Sequence, residues 1–175
     1  MRICVFGAAS DNIDQKFIDL GYKLGQQIVE KGHSLVFGGG KYGMMGAVAR
    51  GIENKNGEII AVYPEWITDM QEVFEKTSLT IVTTGMDDRK KNFLKYSDAI
   101  LVTPGGIGTL DEFFEVVTLK KFRDFNGPIV VFNMFNYYDK MIEMLDEMVE
   151  ANFVSEEIME LIKVTDSLED TLNSF

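Results

Sequence analysis

Six short runs of β-favouring residues recur along the chain: Ile3–Phe6, Ser34–Phe37, Ile59–Tyr63, Leu79–Thr83, Ala99–Thr103 and Pro128–Phe132. Several are apolar on both faces, as strands buried inside a parallel sheet are. The stretches between them have helical periodicity and predict helices over Asp14–Glu30, Met44–Asn54, Asp88–Tyr96, Thr109–Phe122 and Tyr137–Glu150. Strict alternation of this kind predicts an α/β fold, a doubly wound parallel sheet with helices on both faces. A tail from Ser155 adds one or two helices around an edge strand at Lys163–Thr165. With 175 residues, the chain suffices for one well-cored domain, 1–175, and is short for two.

In such sheets ligands bind beyond the carboxyl ends of the strands. Four strand ends carry suggestive residues: "FGAASDN" (6–12), "FGGGKYGMMG" (37–46), "TTGMDDRKK" (83–91) and "TPGGIGT" (103–109). The second contains Gly38-x-Gly40-x-x-Gly43, formally a dinucleotide fingerprint. An acidic residue should end the next strand to hold a ribose, but Glu58 begins that strand and Glu65 lies beyond Pro64, which disfavours a nicotinamide enzyme. Gly39, Gly40 and Gly43 still permit close backbone approach to an anion. The bland alternative is a tight turn with close helix–sheet packing, and Met44 and Met45 read as core.

"PGGIGT" is the stronger signal. Pro104 stops the strand, Gly105, Gly106 and Gly108 leave amides unshielded, and Thr109 offers a hydroxyl at the helix start, together a cradle for phosphate. The loop lacks a Gly-Lys-Ser/Thr ending, which argues against triphosphate hydrolysis on a Walker loop. Thr109-Leu110-Asp111-Glu112 reads as a capping box; alternatively Glu112 is a catalytic carboxylate facing a bound phosphate ester. Arg89 and Lys90 open the helix ahead of that loop, an unfavourable place for cations unless an anion compensates. A solvated surface pair is the alternative there.

In the helix after the cradle, Leu110, Phe113, Phe114 and Val117 follow i, i+3, i+4, i+7 and are expected to face the sheet. Glu112 and Glu115 fall on the far side, bordered by a second apolar strip of Val116, Leu119 and Phe122. That strip predicts packing against another copy of the chain. Met141, Met144 and Met148 have helical spacing and read as core.

Composition removes several classes of function. The net charge of −11 argues against nucleic-acid binding, which needs a basic footprint. From Asp139 onward eleven Asp/Glu face only Lys140 and Lys163, a net −9, whereas "DDRKKNFLK" (87–95) is locally +2. A single cysteine, Cys4, and a single histidine, His33, exclude disulfide frameworks, histidine triads and Cys/His metal clusters. No apolar run approaches the ~18 residues of a membrane span, and Met1 leads directly into "RICVFG" without a leader pattern. A soluble cytoplasmic protein without metal or membrane is expected.

Three segments in order, "GGGKYGMMGAVA", "MDDRKKNF" and "PGGIGTLDEFFE", with "NYYDKM" and "ANFVSEE" after them, resemble the signatures of the LOG family, the cytokinin riboside 5′-monophosphate phosphoribohydrolases. The resemblance extends over nearly the whole chain. It implies a Rossmann-like homodimer that hydrolyses a nucleoside 5′-monophosphate, AMP or a modified AMP, to free base and ribose 5-phosphate without a cofactor. By motif position it implies Arg89 and Glu112 as the catalytic pair. Lys90, Gly106, Ile107, Gly108, Thr109, Leu110, Asp111 and Thr118 are the implied substrate contacts, with Glu72 a further match, and Gly105, Glu115, Gly39, Gly40 and Gly43 complete the expected site. The "lysine decarboxylase" label often carried by this family finds no support in pyridoxal-phosphate chemistry here.

Departures from the family pattern bear on base preference. "GAASDN" stands for the usual first loop, "MDDRK" lacks the common histidine, and "TLKKFRDFNGP" lacks a tryptophan-containing stretch. Chemically, ribosyl C–N cleavage develops positive charge on the sugar, which a carboxylate such as Glu112 can stabilise while activating water. Arg89 can then orient substrate or support the departing base. The second reading is a non-enzymatic carrier or sensor with the same cradle, as in the similar molybdenum-cofactor carrier proteins; the Arg89/Glu112 pair favours the enzyme.

Overall fold

A computed structural model describes residues Met1–Phe175, and in it the apolar runs form one sheet. Its strands are β1 (Arg2–Phe6), β2 (Ser34–Phe37), β3 (Ile59–Pro64), β4 (Leu79–Thr83), β5 (Ala99–Val102), β6 (Ile129–Phe132) and, from the tail, β7 (Ile162–Thr165). All pair in parallel, in the order β4-β3-β2-β1-β5-β6-β7. The chain runs outward from β1 to β4, then returns to lay β5 against the other side of β1. This is the expected doubly wound, Rossmann-like sheet, and it opens a crevice where the order reverses, between β1 and β5.

The helices are α1 (Gln15–Glu30), α2 (Gly43–Asn54), α3 (Ile67–Met70), α4 (Met86–Lys95), α5 (Ile107–Lys121), α6 (Asp139–Glu150), α7 (Glu156–Met159) and α8 (Leu168–Leu172). Side chains alternate across the strands, so β1 sends Ile3 and Val5 to one core with Leu24, Ile28, Met44 and Val48, and Cys4 and Phe6 to another with Phe93, Phe113 and Val116. Each fully buried aliphatic or aromatic side chain contributes about 1.5–3 kcal/mol. On the first face α1 and α2 meet backbone to backbone: a Cβ on Gly25 would lie 2.1 Å from the Val48 carbonyl oxygen, and one on Gly51 2.1 Å from that of Tyr22. No helix is long and apolar enough to cross a membrane.

Helices α4 and α5 each start two residues earlier than their sequence suggests, and the difference reaches the site. Helix α5 begins at Ile107 because the extended Gly106 (φ −96°, ψ −154°) is its cap, so Thr109 is the third helical residue and makes no capping bond. The capping box does not form, and Glu112 is left free to turn toward Arg89. Helix α4 begins at Met86, which puts Asp87 and Asp88 in the first turn and Arg89 in the second. The cost expected for cations at a helix start is thereby avoided, and Asp88 accepts from the Thr84 amide at 3.0 Å.

The faces of α5 also differ from expectation. Phe113, Val116 and Val117 are buried, whereas Phe114 is 36% exposed and Phe122 66%. Val116 joins the core because α4 packs alongside, Phe93 and Leu94 closing over Val116 and Leu119. The open strip along α5 is therefore Phe114 and Thr118, continued by Phe122 just past its end. It lines a groove of about 480 Å³ with Met144, Met148 and Phe153, so Met144 lines a surface groove and is not core.

Candidate active site

At the crevice between β1 and β5 lies a cleft of about 410 Å³, lined by Gly7, Ala8, Ala9, Ser10, Met45, Ile67, Gln71, Arg89, Gly106, Gly108, Thr109 and Glu112. Three strand-end loops are tied together beneath it. The Ala8 amide donates to the Pro104 carbonyl at 3.0 Å, and the Ala8 carbonyl accepts from the Met45 amide at 3.1 Å. The loop after β1 thus joins the start of α2 to the start of α5.

The N–H groups of Gly106, Ile107, Gly108 and Thr109 make no hydrogen bond within the chain. These are the orphan donors of a helix start, where the helix dipole adds positive potential. A Cβ built on Gly106 or Gly108 would meet nothing within 4 Å. Folding therefore does not require glycine at either position, and what glycine leaves open is the approach to the amides.

Arg89 is fixed from several sides. Its Nε donates to the Val62 carbonyl at 3.2 Å, its guanidinium carbon stands 4.9 Å from the Phe93 ring centre, and its Nη1 meets Glu112 Oε1 at 3.3 Å. Nη2 lies over Gly38, where a Cβ would come within 2.0 Å. The Arg89 and Glu112 side chains are 10% and 12% exposed. Burial strips water from Glu112 and pushes its pKa up to about 7, against the pull of Arg89 in the other direction. A carboxyl near neutrality can both accept and return a proton.

The other expected site residues divide. Gly106, Gly108, Thr109, Arg89 and Glu112 come together in the cleft, and Ile107 stands 84% exposed at the start of α5. Leu110 is half-buried against the core. Lys90 lies between α4 and α5, paired with Asp111 at 3.3 Å and with Glu115, which makes these three an inter-helix clamp. Thr118 donates to the Phe114 carbonyl at 2.8 Å and lines the apolar groove. Glu72 takes Lys41 Nζ at 2.6 Å and Tyr42 Oη at 2.5 Å, away from the cleft lining. Gly105 packs under Thr109, a Cβ there falling 2.1 Å from the Thr109 hydroxyl.

The second glycine loop is mostly architectural. Gly39, at φ +78°, abuts Tyr63, Gly40 bridges to Val73, and the Gly43 amide is taken by Asp11 Oδ1 at 2.7 Å. Ser10, Ile67 and Gln71 also line the cleft, and none of them stands out in the sequence. The "GAASDN" segment marks the loop that carries Ser10, while the four-residue α3 before Gln71 is too short for periodicity to reveal.

A family sequence model described as "Possible lysine decarboxylase" matches residues 45–175. The chain is 33% identical over 171 residues to the Oryza sativa subsp. japonica protein named "Probable cytokinin riboside 5'-monophosphate phosphoribohydrolase LOGL5", covering 98% of this chain and 70% of that one. It is 31% identical over 161 residues to the Arabidopsis thaliana cytokinin riboside 5'-monophosphate phosphoribohydrolase LOG3, covering 92% of this chain and 75% of that one. Among solved structures, a molybdenum cofactor binding protein from Rippkaea orientalis aligns with a TM-score of 0.72 at 22% identity, over 98% of this chain and 93% of that one. At that identity the likeness is one of fold.

Proposed function

This chain belongs to the LOG family, and we propose on that footing that it is a phosphoribohydrolase, cleaving the N-glycosidic bond of a nucleoside 5′-monophosphate to free base and ribose 5-phosphate. The observation that carries the reading is that one cleft joins unpaired helix-start amides to a buried carboxyl with a pKa of about 7.

The amides of Gly106, Ile107, Gly108 and Thr109 take the phosphate and so fix the ribose near Glu112. As the bond from the anomeric carbon to the base nitrogen breaks, its electron pair leaves with the base and positive charge develops on the sugar. The Glu112 carboxylate stabilises that charge, takes a proton from the water whose oxygen bonds the anomeric carbon, and returns that proton to the departing base nitrogen. Arg89, clamped by Val62 and Phe93, orients the Glu112 carboxylate and supports negative charge on the departing base. The substrate is AMP or a cytokinin riboside 5′-monophosphate, the latter by analogy with the relatives' names. No step calls on a cofactor.

The working form in this reading is a homodimer built on the apolar groove of α5, α6 and α7, in the reducing cytoplasm that suits the buried thiol of Cys4. Incubation with AMP, followed by chromatography for adenine and an assay for ribose 5-phosphate, tests the activity. A wild-type protein that binds AMP but frees no base from a nucleotide panel gives way to the carrier reading.

A further inference from the structure

Two successive tyrosines on the turn between β6 and α6 reach the backbone just ahead of the α5 amides. Tyr137 Oη donates to the Gly105 carbonyl at 2.8 Å, and Tyr138 Oη donates to the Thr103 carbonyl at 2.8 Å. Between these, the Pro104 carbonyl accepts from the Ala8 amide. Three consecutive carbonyls are thus engaged.

The two tyrosines differ in the peptide unit that each one holds. Every peptide bond in the chain is trans, so the C=O and N–H of one planar unit point in opposite directions. The Gly105 carbonyl shares its unit with the Gly106 N–H, which belongs to the cradle. The Thr103 carbonyl shares its unit with Pro104, which has no N–H to aim. The Gly105–Gly106 unit also has glycine on both sides and is the freest to rotate unless something holds it.

The turn that presents Tyr137 is specially made. Phe135 and Asn136 both lie at positive φ, 55° and 62°, a backbone state uncommon for residues other than glycine and retained where surroundings enforce it. The Tyr137 ring stands edge-on to Phe17 at 5.9 Å and to Tyr138 at 4.9 Å, so aromatic packing fixes its hydroxyl independently of the bond to Gly105.

We propose that Tyr137 is a positioning residue for phosphate binding, its hydroxyl holding the Gly105–Gly106 peptide so that the Gly106 amide faces the anion, while Tyr138 serves folding alone. The inference rests on the phosphoribohydrolase reading only for the identity of that anion.

Tyr137→Phe and Tyr138→Phe, titrated with ribose 5-phosphate and with inorganic phosphate, melted, and assayed on AMP, test it. Tyr137→Phe weakens ribose 5-phosphate binding about tenfold, the scale of one hydrogen bond. It raises the KM for AMP by a similar factor, with kcat within about twofold and Tm unchanged, because Tyr137 is half-exposed and water takes the place of its hydroxyl on the Gly105 carbonyl. Tyr138→Phe, which strands a buried carbonyl, lowers Tm by about 5 °C and leaves both affinities as they were. Wild-type affinity in Tyr137→Phe, or a joint loss of affinity and Tm there, overturns the proposal. A wild type that binds ribose 5-phosphate but releases no adenine removes the phosphoribohydrolase reading while the affinity comparison still decides the role of Tyr137. A wild type that binds neither probe overturns both.

Discussion

The Glu112 carboxylate meets Nη1 of Arg89 at 3.3 Å, yet burial pushes its pKa up to about 7. One cation, itself shared with the Val62 carbonyl and the Phe93 ring, does not replace the hydration that the carboxylate loses. The pair therefore strains toward the neutral form at rest. In the proposed reaction, positive charge developing on the sugar favours the ionised carboxylate.

Removing the charge while keeping the shape isolates this role. Glu112→Gln is expected to lower kcat for AMP by about 10³-fold, within the range of acid–base catalysis, with ribose 5-phosphate binding retained. Steady-state kinetics beside a binding titration check both halves; activity within tenfold of wild type sinks the assignment.

Stability should respond to pH with a definite sign. The folded pKa of about 7 exceeds the ordinary 4.5, so the folded state holds a proton that the unfolded chain has released. Wild-type stability from this group is complete below 4.5 and is lost as pH rises through about 7, a cost on the order of 3 kcal/mol. Glutamine cannot titrate, so Glu112→Gln gains on wild type across that window, as denaturant melts at pH 4 and pH 8 will register.

The same pKa shapes the rate. If the ionised carboxylate is the working form, kcat/KM for AMP climbs with unit slope in pH up to about 7 and then levels. The substrate phosphate ionises near ~6, so the residual slope in Glu112→Gln identifies that share. A wild-type profile flat from pH 5.5 to 8 on this ~2.5-unit span contradicts the role.

A glycine that lines the cleft and one packed against Arg89 should behave oppositely. Gly108→Ala places a methyl in open space and within a helix, where alanine is favoured by about 0.5–1 kcal/mol; Tm holds or rises while the KM for AMP increases about tenfold or more. Gly38→Ala drives a methyl into Arg89 Nη2, so activity and Tm fall together. Equal behaviour of the two variants would show that neither reading of these glycines is right.

The exposed aromatics of α5 make the assembly testable. Sedimentation of wild type is expected at about twice the 19.8 kDa of the chain, and Phe122→Asp, placing a charge on a residue 66% exposed, shifts it to the monomer with little change in Tm. A wild type that sediments as a monomer at micromolar concentration removes the dimer.

Strands were legible because their signal is local: each apolar run declared itself within four to six residues, and the chain's alternation dictated parallel pairing. Helix starts were less so. Thr109 and Glu112 satisfy the spacing of a capping box, but the glycine before them enters the helix two residues sooner, and no local pattern distinguishes these outcomes. Val116 looked solvent-facing because the sequence of α5 does not reveal that α4 lies beside it. Arg89 and Glu112 were identifiable by motif, whereas the reason for Gly38, a space reserved for a side chain 51 positions away, emerges only when β2 and α4 are brought together. Lys90 and Glu115 carried the right charges for a ligand and use them on each other.

The backbone contact between α1 and α2 sets a limit on how this protein can be re-engineered. A mutant library that varies Gly25 or Gly51 will mainly return insoluble chains, since any side chain forces the two helices apart. Diversity placed at Ile67 and Gln71, on the short segment after β3, leaves that contact untouched. In the proposed enzyme, new base selectivity should therefore be sought there, on cleft-lining residues that lie outside the packing of α1 against α2.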